Sequence, residues 1–182
     1  MFDLKQLFER FCEYSNEKLY WDMDSGEWTK LVLDFFGQEG KSRKVNVESN
    51  YMLIDQVWRG TRHEILLALE HENKGDMTEI LNKEVEHLID LRALQKIGIF
   101  YPSEGDEKDF LDKALSKIME RKEAIPLQEQ YALILGRSTT KAHRRAIRFH
   151  LRTCGFPLPM LEWKMVEEKI IFQARKASPE KV

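Results

Sequence analysis

Apolar residues recur at helical spacing in the N-terminal part of the chain. Residues 2–18 and 26–37 each place one apolar side chain per helical turn. The repeating positions are Leu4, Leu7, Phe8, Phe11 and Cys12 in the first segment, and Trp28, Leu31, Val32, Phe35 and Phe36 in the second. The turn-like sequence GQEGKSRK follows the second segment. The pattern therefore predicts two amphipathic helices that end before this turn.

Three strand-like segments come next. They cover residues 43–49, then YMLIDQVW (51–58), then EILLALEHEN (64–73). The last two segments are joined by RGTRH, whose glycine and polar residues are typical of a connection between antiparallel strands. The second and third segments are therefore predicted to form a hairpin.

Helices and strands alternate in the following part of the chain. Asp76 is an N-cap candidate with Glu79 as its capping-box partner, and it opens a predicted helix that ends near residue 94. LQKIGIFYP is predicted as a buried strand, residues 106–122 as a helix and QYALILG as a further strand. This order of elements predicts an α/β fold with a mixed sheet flanked by helices.

The segment RAIRFHLRT alternates strictly between apolar and basic residues. Ile147, Phe149 and Leu151 would point to one side of a strand, with Arg148, His150 and Arg152 on the other. A half-buried strand with a basic outer face is therefore predicted. The later segment MLEWKMVEEKIIFQA fits a helix and a pair of short strands equally well, so its structure stays open.

Length and composition indicate one globular domain with a sizeable core. The chain has 182 residues, of which 42% are hydrophobic. We divide it into an N-terminal helix (1–25), a core (26–136) and a basic C-terminal extension (137–182). Cys12 and Cys154 form no metal-ligand spacing, and the N-terminus follows no signal-peptide pattern, so a cytoplasmic setting is expected. No apolar run is long enough to cross a bilayer, so no membrane association is expected.

Positive charge is concentrated in one part of the sequence. The net charge is −2, yet no Asp or Glu occurs between Gln130 and Leu161. The cations of this stretch are Arg137, Lys141, Arg144, Arg145, Arg148 and Arg152, so the rest of the chain carries about −8. Such a stretch is either a solvated face of the sheet or a surface that holds phosphates, and we favour the second interpretation.

Carboxylates accumulate where the predicted strands end. Glu70 and Glu72 lie two residues apart on one strand and so share a face, whereas His71 and Asn73 point the other way. Asp55 lies among apolar residues on the preceding strand, where a carboxylate is costly unless it is paired or bound to metal.

The following helix supplies a further acid. Glu84 falls near the centre of that helix's apolar stripe, and Lys83 lies at the margin of the stripe. The register of the predicted hairpin does not by itself place Asp55 beside Glu70. A symmetric turn at Thr61 would place Asp55 opposite residue 67, about one pleat short of Glu70. A bulge, an asymmetric loop or strand twist must make up this difference.

Clustered hard oxygen ligands suit Mg²⁺ or Mn²⁺, and such ions accelerate phosphodiester hydrolysis. The arrangement resembles the PD-(D/E)xK nuclease superfamily, whose restriction-endonuclease-like core is helix, three-stranded meander, helix and strand. The resemblance covers residues 26–101, with Asp55 as the motif's aspartate and Glu70-x-Glu72 as its acidic element. Ile54 stands where the motif has proline, and Glu72 stands where it has lysine, as in restriction enzymes that use Glu-x-Glu.

This resemblance implies a metal-dependent DNA endonuclease. Asp55, Glu70 and Glu72 would bind the ion, and Glu84 or Lys83 would orient water. Lys74 or Lys83 would stand in for the missing lysine, and the six basic residues of 137–152 would hold the DNA backbone. A further acid could come from the first helix, where Glu9, Glu13 and Glu17 form a stripe, or from Glu84. Many members of the superfamily act as homodimers, and we carry that over as an expectation.

Two other functions remain open at this stage. The fold could be kept without the reaction, which would make the chain a nucleic-acid-binding or assembly module. Alternatively, the chain could be an α/β domain that binds a small molecule or a protein, with its carboxylates paired internally to the basic segment. Metal binding distinguishes an active nuclease from the nucleic-acid-binding or assembly module. Salt-sensitive DNA binding distinguishes both of these from a domain that binds a small molecule or a protein.

Overall fold

The structure is a computed structural model. It describes residues 1–20, 23–103, 105–121, 129–141, 144–155 and 162–172. The helices are α1 (Leu4–Lys18), α2 (Ser25–Ser42), α3 (Met77–Ile80), α4 (Glu86–Asp90) and α5 (Glu107–Glu120), and a π-helical turn, Leu81–Val85, joins α3 to α4. The strands are β1 (Asn46–Tyr51), β2 (Ile54–Arg59), β3 (Ile65–Glu72), β4 (Gln95–Phe100), β5 (Gln130–Lys141), β6 (Arg144–Gly155) and β7 (Lys164–Phe172).

These strands form one mixed sheet, in the order in which they occur along the chain. β1, β2 and β3 are an antiparallel meander, β3, β4 and β5 are parallel, and β5, β6 and β7 are antiparallel again. Parallel neighbours need a crossover, which the α3–α4 helix supplies between β3 and β4 and α5 supplies between β4 and β5. The predicted α/β class, with a mixed sheet flanked by helices, is confirmed.

Helices cover both faces of the sheet and bury two apolar clusters. On one face, α1 and α2 pack on Trp58, Leu69 and Phe149, together with other side chains of that face. On the other face, the α3–α4 helix and α5 pack on Val57, Ala68 and their neighbours. Successive residues of a strand point to opposite faces, so β2 and β3 contribute to both clusters.

The second helix is longer than the sequence pattern predicts. The predicted turn at GQEGKSRK is wrong, because α2 continues through its glycines to Ser42. A Cβ at Gly40 would lie 2.5 Å from the Val47 side chain and 3.0 Å from the Trp58 ring. Glycine at this position therefore permits the close approach of the helix to the sheet and does not end the helix.

The helix between β3 and β4 begins as predicted, but it is shorter and irregular. The Asp76 side chain accepts a hydrogen bond from the backbone N–H of Glu79 (2.9 Å), which confirms the predicted N-cap. The helix ends at Asp90, four residues before the predicted end. Its middle is the π turn, which contains Glu84, and such turns often occur at functional sites.

A buried lysine fixes the end of this helix to the sheet. Lys96 Nζ donates to the backbone carbonyl of Ile89 (3.1 Å), to Glu129 Oε2 (2.6 Å) and to Tyr131 Oη (3.1 Å). The lysine side chain is fully buried, and burial lowers its pKa. This network joins α4 to β4 and β5, and so holds the helix that carries Glu84 against the sheet.

The C-terminal part resolves the choice that the sequence left open. β6 confirms the predicted alternating strand, and residues 164–172 form the edge strand β7. Residues 160–161 and 173–174 of the open segment lie outside the described part of the chain, and residues 162–163 precede the strand. α1 packs beside β7, and Lys5 Nζ lies 3.0 Å from Glu167 Oε2. None of the described helices is long and apolar enough to span a membrane.

Candidate metal centre

The register of β2 and β3 brings Asp55 next to Glu70. Gln56 pairs with Leu69 and Trp58 with Leu67, and the register then shifts so that Arg59 pairs with Ile65. This irregularity supplies one residue of the offset that a symmetric turn at Thr61 could not provide, so a bulge is present as expected. The connecting turn is centred at residue 62, as the Gly60 N–H to Glu64 O hydrogen bond shows, and this asymmetry supplies the rest. As a result, the two acids lie side by side at the end of the hairpin that is remote from its connecting turn.

Asp55 and Glu70 are joined through backbone hydrogen bonds. The backbone N–H of Asp55 donates to Glu70 Oε2 (3.3 Å), and the backbone N–H of His71 donates to Asp55 Oδ2 (2.8 Å). Glu70 is only 1% exposed, and Asp55 is partly buried. Both carboxylates are therefore held in fixed positions by the two strands that carry them.

The π turn and α4 contribute the other side of the cluster. His87 Nδ1 lies 3.4 Å from Glu70 Oε1 and 3.6 Å from Glu84 Oε2. One ligand atom from each of Glu70, Glu84 and His87 can be chosen so that all three lie within 4.8 Å of one another. This spacing is compatible with three ligands of one ion.

Two of these atoms are buried without a hydrogen bond. Glu70 Oε1 and His87 Nδ1 face each other, yet neither has a hydrogen-bond partner among the described residues. A buried polar atom left unsatisfied costs free energy, so such atoms usually have a partner. A cation between them would satisfy both atoms, because a carboxylate oxygen and a neutral imidazole nitrogen are metal ligands.

Mutual repulsion and burial make this cluster electrostatically unfavourable without a cation. Burial, together with the neighbouring Asp55 and Glu84 carboxylates, raises the pKa of Glu70 to about 10. Burial also raises the pKa of Asp55. At neutral pH, the metal-free cluster therefore keeps a proton on Glu70, which a bound cation would have to displace.

Glu72 lies apart from this cluster. Its carboxylate accepts a hydrogen bond from the backbone N–H of Lys74 (2.7 Å), and it is not part of the group formed by Glu70, Glu84 and His87. The Glu84 carboxylate raises the pKa of Lys83, and Glu72 adds only a smaller contribution. Although Glu70 and Glu72 share a face of β3 as predicted, only Glu70 reaches the centre of the cluster.

The predicted lysines lie at the edge of the cluster. Lys83 Nζ is 3.2 Å from Glu84 Oε1, and its side chain is 58% exposed. Lys74 is exposed beyond the end of β3. Lys83 is therefore the candidate with a direct contact to a cluster carboxylate, at a position that solvent or a substrate can reach.

The residues that face away from the cluster have structural partners. His71 Nε2 lies 3.2 Å from Tyr101 Oη, and burial lowers the pKa of this histidine to about 3. Asn73 Nδ2 donates to the backbone carbonyl of Ser25 (2.8 Å). These contacts tie the end of β3 to α2 and β4, so both residues support the strand that carries Glu70.

Acids of the first helix do not reach the candidate centre. α1 lies on the opposite face of the sheet, against β6 and β7. Glu13 and Glu17 are exposed there, and Glu9 lies 3.9 Å from Lys5. The alternative in which α1 supplies the additional acid is therefore wrong, and Glu84 is the acid that joins the cluster.

The basic strand faces the same side of the sheet as the acidic cluster. Register places Glu70 beside Gly98, Gly98 beside Leu133, and Leu133 beside Arg152. Three strand spacings of about 4.8 Å put the backbone at Arg152 roughly 14 Å from that at Glu70. The distance is short enough for one polymeric substrate to contact both regions.

Other elements bring acids to this basic face, which the sequence alone did not indicate. Arg152 Nη2 donates to Glu107 Oε1 of α5 (2.9 Å). His150 lies between Glu107 and Glu168 of β7, at 3.1 Å and 2.8 Å. The outer face of β6 is basic as predicted, but acids of α5 and β7 pair with two of its residues.

The remaining predicted DNA contacts are only partly described. Arg137 and Arg148 pair with each other in register across β5 and β6, and both side chains are half-buried. The side chains of Lys141, Arg144 and Arg145 lie outside the described part of the structure, as does residue 143. The prediction that they contact phosphate stays a prediction.

His87 is the member of the site that sequence reasoning missed. It lies three residues after Glu84, and residues at this spacing share a face of a helix. That spacing was the available signal. However, Glu70, the other residue next to His87, lies on β3, and only the tertiary structure shows that the two are close.

Comparisons with known proteins identify no relative of this chain. No family model, no curated protein and no solved structure matches it. The function of this chain is therefore inferred from the geometry and chemistry of the cluster.

Proposed function

We propose that this chain is a metal-dependent nuclease that hydrolyses phosphodiester bonds of DNA. The observation that carries the proposal is the buried Glu70 carboxylate, whose Oε1 faces His87 Nδ1 without a hydrogen bond. Burial raises the pKa of this carboxyl group, and the neighbouring Asp55 and Glu84 carboxylates raise it further. A cluster that is unfavourable by itself becomes favourable when it holds a divalent cation.

The order of elements supports a restriction-endonuclease-like core. Along the chain, α2 is followed by the β1–β2–β3 meander, then by the α3–α4 helix and β4. The PD-(D/E)xK superfamily has this order, with its acids on the second and third strands. Asp55 on β2 and Glu70 on β3 occupy those positions, which is why we favour nucleic acid as the substrate over a small molecule.

The donor set fits a divalent ion of the first transition series. Glu70, Glu84 and His87 would hold the ion, with Asp55 beside them. Magnesium prefers an all-oxygen environment, whereas an imidazole ligand favours transition ions, so Mn²⁺ is a better match than Mg²⁺. When bound, such an ion neutralises phosphate charge and lowers the pKa of a coordinated water.

Residues around the cluster would position the phosphate, the attacking water and the DNA backbone. Lys83 contacts Glu84 at the exposed margin of the cluster, where its ammonium group would hold a phosphate oxygen or orient water. Glu72 sits beside the backbone N–H of Lys74 and helps to fix this margin. Arg148, on the same face of the sheet, would contact the DNA backbone away from the cleaved bond, whereas Arg152 is paired with Glu107.

One observation favours a second candidate, a nucleic-acid-binding or assembly module without activity. Glu72 occupies the position of the motif lysine, and the described cations nearest the cluster lie at its exposed edge. If Lys83 does not replace the missing lysine, the protein would bind DNA without cleaving it.

Cleavage of supercoiled and linear DNA tests the proposal. Purified protein is incubated with Mn²⁺, Mg²⁺ or a chelator, beside Glu70→Ala and His87→Ala variants. The control is Glu64→Ala, which removes an exposed carboxylate at the opposite end of β3. We expect metal-dependent cleavage by the wild type and the control, with a loss of about 100-fold or more in the cluster variants.

The outcomes separate the candidate functions. Salt-sensitive DNA binding without cleavage by the wild type would favour the inactive module. Absence of both metal and DNA binding would overturn the proposal. If cleavage is observed, comparison of nicked and linear products tests the expectation of a homodimer, because a dimer has two centres with which to cut both strands.

A further inference from the structure

The turn between β1 and β2 exposes two large apolar side chains. Met52 and Leu53 are its two central residues, and they are 70% and 75% exposed. Tyr51 pairs with Ile54 directly behind them, so the turn is as short as a hairpin permits. Most of the apolar surface of this pair is therefore left exposed at the tip of the hairpin.

The backbone of this turn is also unfavourable for the residues that occupy it. Met52 has a φ of 47° and Leu53 a φ of 73°, both in the left-handed region. A two-residue turn of this kind is normally Asn-Gly, because these residues adopt positive φ at low cost. Residues kept in such a conformation frequently belong to functional surfaces.

The position of the tip connects it to the candidate metal centre. Leu53 and Asp55 are two residues apart, a distance of roughly 7 Å along a strand. β2 begins and β3 ends at the same end of the sheet, so the tip projects beside Asp55 and Glu70. A polymer bound at the cluster would pass within reach of both apolar side chains.

We propose that Met52 and Leu53 form an apolar wedge that inserts between stacked bases of a DNA duplex bound at the cluster. Proteins that bend DNA commonly insert side chains such as Met and Leu between base steps. Two side chains supply far less surface than a stable protein–protein contact requires, whereas a single base step accommodates one or two. This inference rests on the proposed nuclease function, because the cluster brings the duplex to the tip.

The variant Met52→Asn/Leu53→Gly removes the wedge and gives the turn its preferred residues. Its thermal midpoint should equal or exceed that of the wild type, which distinguishes a functional loss from unfolding. The control is Met165→Asn, which removes a 45% exposed apolar side chain from β7, at the far edge of the sheet.

Binding is measured with duplex DNA that contains 2-aminopurine, in Ca²⁺ and at several salt concentrations. The wild type and the control should increase the fluorescence of the probe, which reports unstacking. The double variant should lose this increase and bind about 10-fold more weakly or worse. The salt dependence should stay the same, because the phosphate contacts are kept.

Several results would overturn the wedge. If the double variant shows the same fluorescence increase and the same DNA affinity as the wild type, the wedge is refuted. In that case, metal-dependent cleavage by the wild type would still support the nuclease proposal. A wild-type dimer that becomes monomeric in the double variant would assign the tip to contact with a second copy instead. A wild type that neither binds nor cleaves DNA would overturn both proposals.

Discussion

Replacing Glu70 by glutamine tests the electrostatic account of the cluster. The substitution keeps the shape of the side chain and keeps an oxygen that can accept the hydrogen bond from the Asp55 N–H. It removes the carboxyl group whose pKa burial and its acidic neighbours raise to about 10. The variant therefore isolates the contribution of one ionisable group to the pH dependence of folding.

The direction in which stability changes with pH follows from the number of protons that each state binds. Between the ordinary carboxyl pKa near 4.5 and the folded value near 10, the folded state keeps a proton on Glu70 that the unfolded state releases. The free energy of unfolding of the metal-free protein therefore falls as the pH rises through this window. Each pH unit corresponds to about 1.4 kcal/mol, so the loss between pH 6 and pH 8 is about 3 kcal/mol.

Urea unfolding at pH 6, 7 and 8 in the presence of a chelator measures this effect. Relative to the wild type, Glu70→Gln should gain about 3 kcal/mol of stability over these two pH units. Glu72→Gln is the matched control, because it removes a carboxyl from the same strand and leaves Glu70 in place. Its pH dependence should follow that of the wild type.

Parallel curves for the wild type and Glu70→Gln would refute this reasoning. They would mean that the folded protein ionises Glu70 at neutral pH without a cation. A complementary measurement adds Mn²⁺ to the wild type. Because the ion must displace the proton from Glu70, its stabilising effect should increase with pH, and binding should release protons.

Three further predictions concern other buried groups and the missed ligand. Lys96→Met leaves the Glu129 carboxylate buried without its partner, so the free energy of unfolding measured with urea should fall by about 3–5 kcal/mol. A fall of less than about 1 kcal/mol would contradict the stabilising role of this network. Cys12 and Cys154 are buried, with pKa values raised to about 12 and about 11, so a thiol reagent at pH 8 should label neither until the protein unfolds. His87→Ala should weaken Mn²⁺ binding about 10-fold or more in calorimetry, and unchanged affinity would remove His87 from the ligand set.

Much of the order of elements could be predicted from the sequence. Apolar periodicity identified α1, the β2–β3 hairpin and the alternating strand β6, because each depends on burial of one face of a local segment. The acids of the cluster also left a local signal. Asp55 and Glu84 stand at positions that the surrounding pattern marks as apolar, where a charge requires a partner.

Local patterns misjudged the segments whose structure depends on distant partners. The glycines of α2 look like a turn, but Gly40 lies in a helix because the Trp58 ring packs against it. The last segment fitted two structures equally well, and pairing with the free edge of β6 made it the strand β7. In both cases, contacts with another element override a weak local preference.

The sequence by itself determined which residues carry charge and which faces are apolar, but not which charges meet. The bulge and the asymmetric turn between β2 and β3 together place Asp55 beside Glu70, and the packing of the α3–α4 helix adds His87. The packing of α5 brings Glu107 to the basic strand. Electrostatic interactions depend on separation in space, and only the tertiary structure decides the separation of residues that are remote in sequence.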